Sequence, residues 1–250
     1  MESPALDFRV LQDRGEIAAA RRKLRERRLL PARRPLHRRA IRGLRKIAGK
    51  PNPPYFPTDA RKSWDVLRAV DAITAKVGRD EPVLDVGSFV SAILPMLSRL
   101  GYRELHGIDL DERVLQMPDA ERIDYVVGDL TKTSWPDAYF AAVTAISVIE
   151  HGVPEDALLA EVARLLRPGG FFVFSTDYWP DKIDTTGTNL FGLPWQIFSA
   201  EEIDRFVERA KRHGLFPVRD PHEAVRRVGQ RPIRFENREY TFLYGALIRG

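Results

Sequence analysis

From position 82 onward, apolar runs of strand length alternate with stretches whose apolar residues recur every three or four positions. The runs at 82–86, 104–109, 123–127, 140–146 and 171–176 predict strands, and the stretches at 92–100, 111–117 and 154–166 predict helices. PVLDV, FAAVTAI and FFVFST are apolar almost throughout, as expected of strands covered on both faces. Such alternation specifies a parallel sheet wrapped by helices, a doubly wound α/β fold.

Upstream, Trp64, Leu67, Val70, Ile73 and Val77 share one face of a helix predicted over 63–77. Pro51, Pro53, Pro54 and Pro57 around Tyr55 and Phe56 read as an extended linker. The folded domain is therefore expected over 58–250, preceded by a basic extension and linker at 1–57. Within the extension, two short helices broken at Pro31 and Pro35 are expected. Beyond the fifth strand, 177–198 reads as a long loop. Ser199 followed by Glu202 then forms a capping box opening a helix over 199–213. Runs at 215–218 and 240–248, joined by an arginine-rich segment, predict a closing antiparallel hairpin.

Charge divides the chain. The net charge of +5 over 250 residues hides 16 Lys/Arg against 5 Asp/Glu in residues 1–50, a net of +11, and a net of −6 in the rest. The basic arm suits an anionic membrane surface or an acidic partner, with a solvated helical pair packed on its own domain as the alternative. It carries no aromatic residue after Phe8 on which a base would stack, so nucleic acid is not expected. The sequence contains no cysteine, which excludes disulfides, thiolate metal sites and thiol catalysis. No run reaches about 18 uninterrupted apolar residues and the N-terminus shows no apolar signal core, so a cytoplasmic protein is expected.

In an open parallel sheet, ligands bind at the carboxyl ends of the strands. Asp85 stands there two residues before Gly87, in the turn entering a helix. Asp109, 24 positions on, stands at the next strand tip, where a carboxylate accepts hydrogen bonds from two ribose hydroxyls; helix capping is its alternative role. Asp129 ends the third strand, placed to receive an adenine amino group.

VLDVG (83–87), GIDLDE (107–112), VVGDL (126–130), WPDAYFAAVTAISVIEH (135–151) and LLRPGGFFVFST (165–176), in this order and spacing, resemble the class I S-adenosylmethionine-dependent methyltransferases. The resemblance covers about 61–250. TDYWPDKIDTTG and FGLPWQIFSAEEI further resemble members associated with bacterial sugar and glycan biosynthesis. The resemblance implies a Rossmann-like seven-stranded sheet of order 3-2-1-4-5-7-6 with strand 7 antiparallel. It implies S-adenosylmethionine as cofactor, with Asp85, Gly87 and Ser88 shaping the methionine end and Asp109 with Leu110 the ribose. Asp129 and Leu130 would flank adenine, and Ile146 and Ser147 would line the methionyl side. His151 is the implied base for a hydroxyl acceptor.

One departure stands out. Where the family has a second glycine, this chain has Phe89, and a phenylalanine at positive φ costs on the order of 1–3 kcal/mol. A member that kept the fold and lost the cofactor is therefore one alternative, and an RNA methyltransferase using the basic arm another. The acceptor, a small molecule or glycan, is expected at the start of the 177–198 loop, on Asp177, Tyr178 and Trp179. Asp177, Asp181, Asp184 and His151 offer donors to a divalent cation, but their spacing is a weak signal and no metal site is assigned.

Overall fold

A computed structural model of the chain describes residues 6–30, 59–190 and 192–250. The helix break at Pro31 and Pro35, the proline-rich linker and half of the basic arm lie outside the described residues.

The five predicted strands form the parallel heart of one sheet: β2 (Val83–Val86), β3 (Leu105–Asp109), β4 (Asp124–Val127), β5 (Phe140–Ile146) and β6 (Leu166–Tyr178). In space they run β4-β3-β2-β5-β6, so strand order reverses between β2 and β5. Asp85 on β2 sits opposite Gly107 of β3 and Thr144 of β5. β11 (Arg238–Arg249) pairs antiparallel with β6 over Thr241–Ile248, and β9 (Leu215–Pro217) pairs antiparallel with the far end of β11. The sheet has nine strands, not seven, because β1 (Arg9–Val10) and β10 (Ile233–Phe235) also pair with β11.

Helices α2 (Ser63–Lys76), α3 (Ile93–Arg99), α4 (Glu155–Leu165) and α5 (Ala200–Arg212) cover the sheet, each burying an apolar face. α5 begins as expected: the Ser199 hydroxyl accepts the Glu202 N–H, and the Glu202 carboxylate accepts the Ser199 N–H. The stretch at 111–117 is instead a 3-10 turn at Glu112–Gln116. The loop at 177–198 has structure of its own, a small hairpin of β7 (Asn189–Leu190) and β8 (Leu193–Pro194).

The expected boundary at residue 57 moves. α1 (Arg14–Glu26) packs with α2, while Phe8 meets Phe174 edge to face with centroids 5.8 Å apart. Leu11, Leu24 and Leu29 are fully buried. The physical reason is amphipathicity: Ile17, Ala20 and Leu24 fall on one buried face of α1 while Arg22, Lys23 and Arg25 stay exposed, so a charge-rich segment still presents an apolar stripe to the core. Thus residues 6–30 are part of the domain.

Candidate active site

The first half of the site is the turn after β2. Asp85 is fully buried, and its Oδ1 accepts the Thr144 hydroxyl. Its Oδ2 has no hydrogen-bond partner, nor does the hydroxyl of buried Ser88. Burial, with a small push from the Asp109 charge, raises the Asp85 carboxyl to about 7 against the pull of its Ser91 and Thr144 hydrogen bonds. Gly87 turns the chain at φ +67°, where an added Cβ would lie 2.5 Å from a methyl of Val148. Only glycine fits there.

Asp109 fastens this turn to the neighbouring strand. Its Oδ2 accepts the Phe89 N–H at 2.9 Å and its Oδ1 the Asp111 N–H at 2.9 Å. Since each carboxylate oxygen has two lone pairs, both retain capacity for a further donor. Leu110 beside it is 62% exposed. Asp129 is exposed and accepts the Thr131 N–H and hydroxyl, whereas the Leu130 side chain packs into the core.

The strain anticipated at Phe89 falls elsewhere. Positive φ belongs to Val90, at +58°. A β-branched residue is rare in that region. Val90 donates its N–H to the Met117 sulfur at 3.3 Å. Phe89 itself is half-buried against the core, with the Arg113 guanidinium 4.5 Å from its ring centroid.

The second half lies at the ends of β5 and β6. Ser147 leaves β5 at φ +56° with its N–H bonded to the Ser175 carbonyl at 3.0 Å. Glu150 and His151 follow in a 3-10 turn, Ile149–His151. Asp177 accepts the Trp195 indole N–H at 2.8 Å and also bonds the Tyr240 hydroxyl. Lys62, the residue capping α2, enters from above: its ammonium donates to the Ser147 hydroxyl and lies 3.7 Å from Asp65 and 3.9 Å from Asp177. The same ammonium stands 3.6 Å over the Phe242 ring.

This basin is rich in buried carboxyl groups, those of Asp65, Glu150 and Asp177. Burial is the chief cause that raises Glu150 to about 8, with the Asp177 charge adding and Lys62 opposing; its Oε2 has no partner. Burial also raises Asp65, whose carboxylate accepts the Ser175 hydroxyl at 2.9 Å. His151 is shifted below its ordinary value, mainly by burial, with Asp177 opposing. Among the described residues, no group of three or more acidic or histidine side chains is arranged to hold a metal ion.

The structure thus brings together Asp85, Gly87, Ser88 and Asp109 in one turn, and Ser147, His151 and Asp177 in one basin. It removes Tyr178 from the acceptor residues. Successive strand residues point to opposite faces, so Tyr178 lies fully buried in the core behind Asp177, its hydroxyl donating to the Val225 carbonyl. Trp179 returns to the basin side and is half-buried. Lys62, Tyr240, Trp195 and Phe242 carry no spacing signal in the sequence. Glu150 carried a weak one, a charge set inside the apolar run SVIEHGV.

Residues 84–174 match the family model of a methyltransferase domain. A protein of Mycolicibacterium smegmatis named as a probable S-adenosylmethionine-dependent methyltransferase is 37% identical over 113 residues, 43% of this chain and 43% of its own length. A sterol 24-C-methyltransferase of Yarrowia lipolytica is 24% identical over 128 residues, 51% of this chain and 33% of its own. The chain therefore spans less than half the length of either relative. An S-adenosylmethionine-dependent methyltransferase of Mesorhizobium loti superposes with a TM-score of 0.51 at 20% identity, covering 74% of this chain and 98% of that one, and so shares the fold. Over residues 84–174 the chain is thus similar to a methyltransferase domain. The turn fits S-adenosylmethionine in the chemistry of its polar groups: the Asp85 Oδ2 and the Ser88 hydroxyl are buried without a partner, able to meet the donors of the cofactor's amino-acid end.

Proposed function

We propose that the protein transfers the methyl group of S-adenosylmethionine to a hydroxyl of a small-molecule or glycan acceptor, in the basin at the ends of β5 and β6. The observation that carries this reading is the buried, unpartnered Asp85 oxygen beneath the Gly87 turn. An orphaned carboxylate at full burial is costly and calls for a ligand donor. In this reading Asp85, Gly87 and Ser88 hold the amino-acid end of the cofactor, Asp109 and Leu110 its ribose, and Asp129 and Leu130 its adenine. Ile146 and Ser147 flank the methionyl chain. When bound, the cofactor supplies a methyl group already activated on a positive sulfur.

The chain's own work is positioning and proton removal. Because burial lowers its pKa, His151 is a neutral imidazole at pH 7, able to take the acceptor proton on a ring nitrogen. Glu150, raised to about 8, is protonated at that pH and serves as a donor rather than the base. Asp177, held by Trp195, Tyr240 and Lys62, raises the proton affinity of the neighbouring imidazole and so favours the imidazolium that proton transfer creates. The burial of the basin excludes water that would compete for the methyl group. A relative's name specifies a sterol carbon; here the polar lining of the basin, with Asp177 and His151 in it, favours an oxygen acceptor.

Calorimetric titration with S-adenosylmethionine and S-adenosylhomocysteine tests the cofactor half. The expected affinity is about micromolar, weakened at least tenfold, or about 1.4 kcal/mol, by Asp109→Ala. No binding at millimolar ligand refutes the reading. Hydroxyl acceptors are then screened by release of S-adenosylhomocysteine, which His151→Gln should slow at least a hundredfold.

A further inference from the structure

The arginine-rich stretch after α5 is not used by the chemistry above, and its arginines have different fates. Arg226 pairs with Asp204, and Arg238 holds the Asp184 and Glu236 carbonyls at 3.1 and 2.8 Å. Arg231 instead stands over Trp179, its Cζ 4.1 Å from the ring centroid. Trp179 follows β6 directly and packs on the cluster that contains Trp195, Tyr240 and Phe242.

Three cations cover rings of that one cluster: Lys62 over Phe242 at 3.6 Å, Arg231 over Trp179 at 4.1 Å and Arg61 over Phe235 at 5.7 Å. Two are already paired, Lys62 with Ser147, Asp65 and Asp177, and Arg61 with Asp59. Arg231 is exposed, and among the described residues no carboxylate stands within ion-pair distance of it. The Trp179 indole N–H beneath it is buried and has no partner.

We propose that Arg231, stacked on Trp179, is the anchor of a phosphate-binding subsite at the mouth of the acceptor basin, with Arg61 as a second contact. The inference rests on the methyltransferase reading and deepens it: the acceptor carries a phosphate remote from the hydroxyl that is methylated. A guanidinium fixed on an indole face presents its N–H fork in one plane, the geometry that grips a phosphate through two parallel hydrogen bonds. Stacking has already removed much of the side chain's rotamer freedom, so less is lost on binding. The charges also orient the acceptor. Asp177 inside the basin disfavours an anionic group, while the exposed Arg61 and Arg231 attract it, so the phosphate end stays outside and the hydroxyl end enters.

The full chain, saturated with S-adenosylhomocysteine, is titrated calorimetrically with inorganic pyrophosphate. Binding in the micromolar to submillimolar range is expected, weakened tenfold or more by Arg231→Gln and severalfold by Arg61→Gln. Arg231→Lys should recover only part, because an ammonium cannot form the planar fork. Co-sedimentation with phosphatidylglycerol vesicles separates the sources. Arg231-dependent capture that pyrophosphate competes away assigns the phosphate to a lipid headgroup, and pyrophosphate binding without capture assigns it to a soluble acceptor. No pyrophosphate binding by the wild type, or equal binding by Arg231→Gln, overturns the proposal. Each variant's affinity for S-adenosylhomocysteine should be unchanged, so failure here is distinct from failure of the cofactor reading.

Discussion

Asp85 makes the cost of the site measurable. In the unfolded chain its carboxyl titrates near 3.8, while burial raises it to about 7 in the folded protein. Between these values the folded state binds one more proton than the unfolded state, so this group's contribution to stability falls as pH rises. Each pH unit is worth about 1.4 kcal/mol, and from pH 5 to the folded pKa near 7 the loss is about 3 kcal/mol. Above that pH both states are ionised and the loss is constant. Asp85→Asn removes the titration. Its amide oxygen can still accept from Thr144, while its NH2 takes the place of the unpartnered Oδ2 and costs about 1–3 kcal/mol at every pH. Glu150 and Asp65 also titrate abnormally, but they are common to both proteins and cancel in the difference. Urea unfolding at pH 5 and pH 8 is the assay. The stability of the variant relative to wild type should rise by about 3 kcal/mol between the two conditions, while its affinity for S-adenosylhomocysteine falls at least tenfold. A relative stability that is the same at pH 5 and pH 8 refutes the argument that Asp85 is held out of water at the price of its charge.

Two further substitutions test the fold. Leu24→Ala, on the buried face of α1, should destabilise the whole domain by about 2–5 kcal/mol in a single unfolding transition, whereas a solvated arm would leave the transition where it was. Val90→Gly should stabilise the protein by about 1 kcal/mol, because relief of a left-handed β-branched residue outweighs glycine's greater freedom in the unfolded chain, and Val90 is 47% exposed. A destabilised Val90→Gly in urea unfolding would show that the turn is not strained.

Carboxylates deep in the basin and a cationic rim divide the site into two electrostatic regions. Lys62 joins them, since its ammonium both neutralises part of the carboxylate charge and ties the start of α2 to the tip of β5.

What the sequence determined by itself was whatever depends on near neighbours. Uninterrupted apolar runs set the buried parallel strands, because both faces of such strands must leave water. The Ser199–Glu202 cap was legible for the same reason, since its two hydrogen bonds span three residues. The position of Asp85, Gly87 and Asp109 at the ends of β2 and β3 was legible because the apolar runs themselves mark where those strands stop. The tertiary structure decided the rest. Lys62 and Ser147 meet although 85 positions apart, and no periodicity records such a meeting. Tyr178 went to the core because one residue along a strand reverses the face. Val90, not Phe89, took the positive φ because the turn's geometry is set by Asp109 gripping the Phe89 N–H. The first strand joined the sheet because β11, itself at the other end of the chain, offered it an edge. Burial then moved the titrations of Asp85 and Glu150, since a charge's environment is a property of the packed fold and not of the chain order.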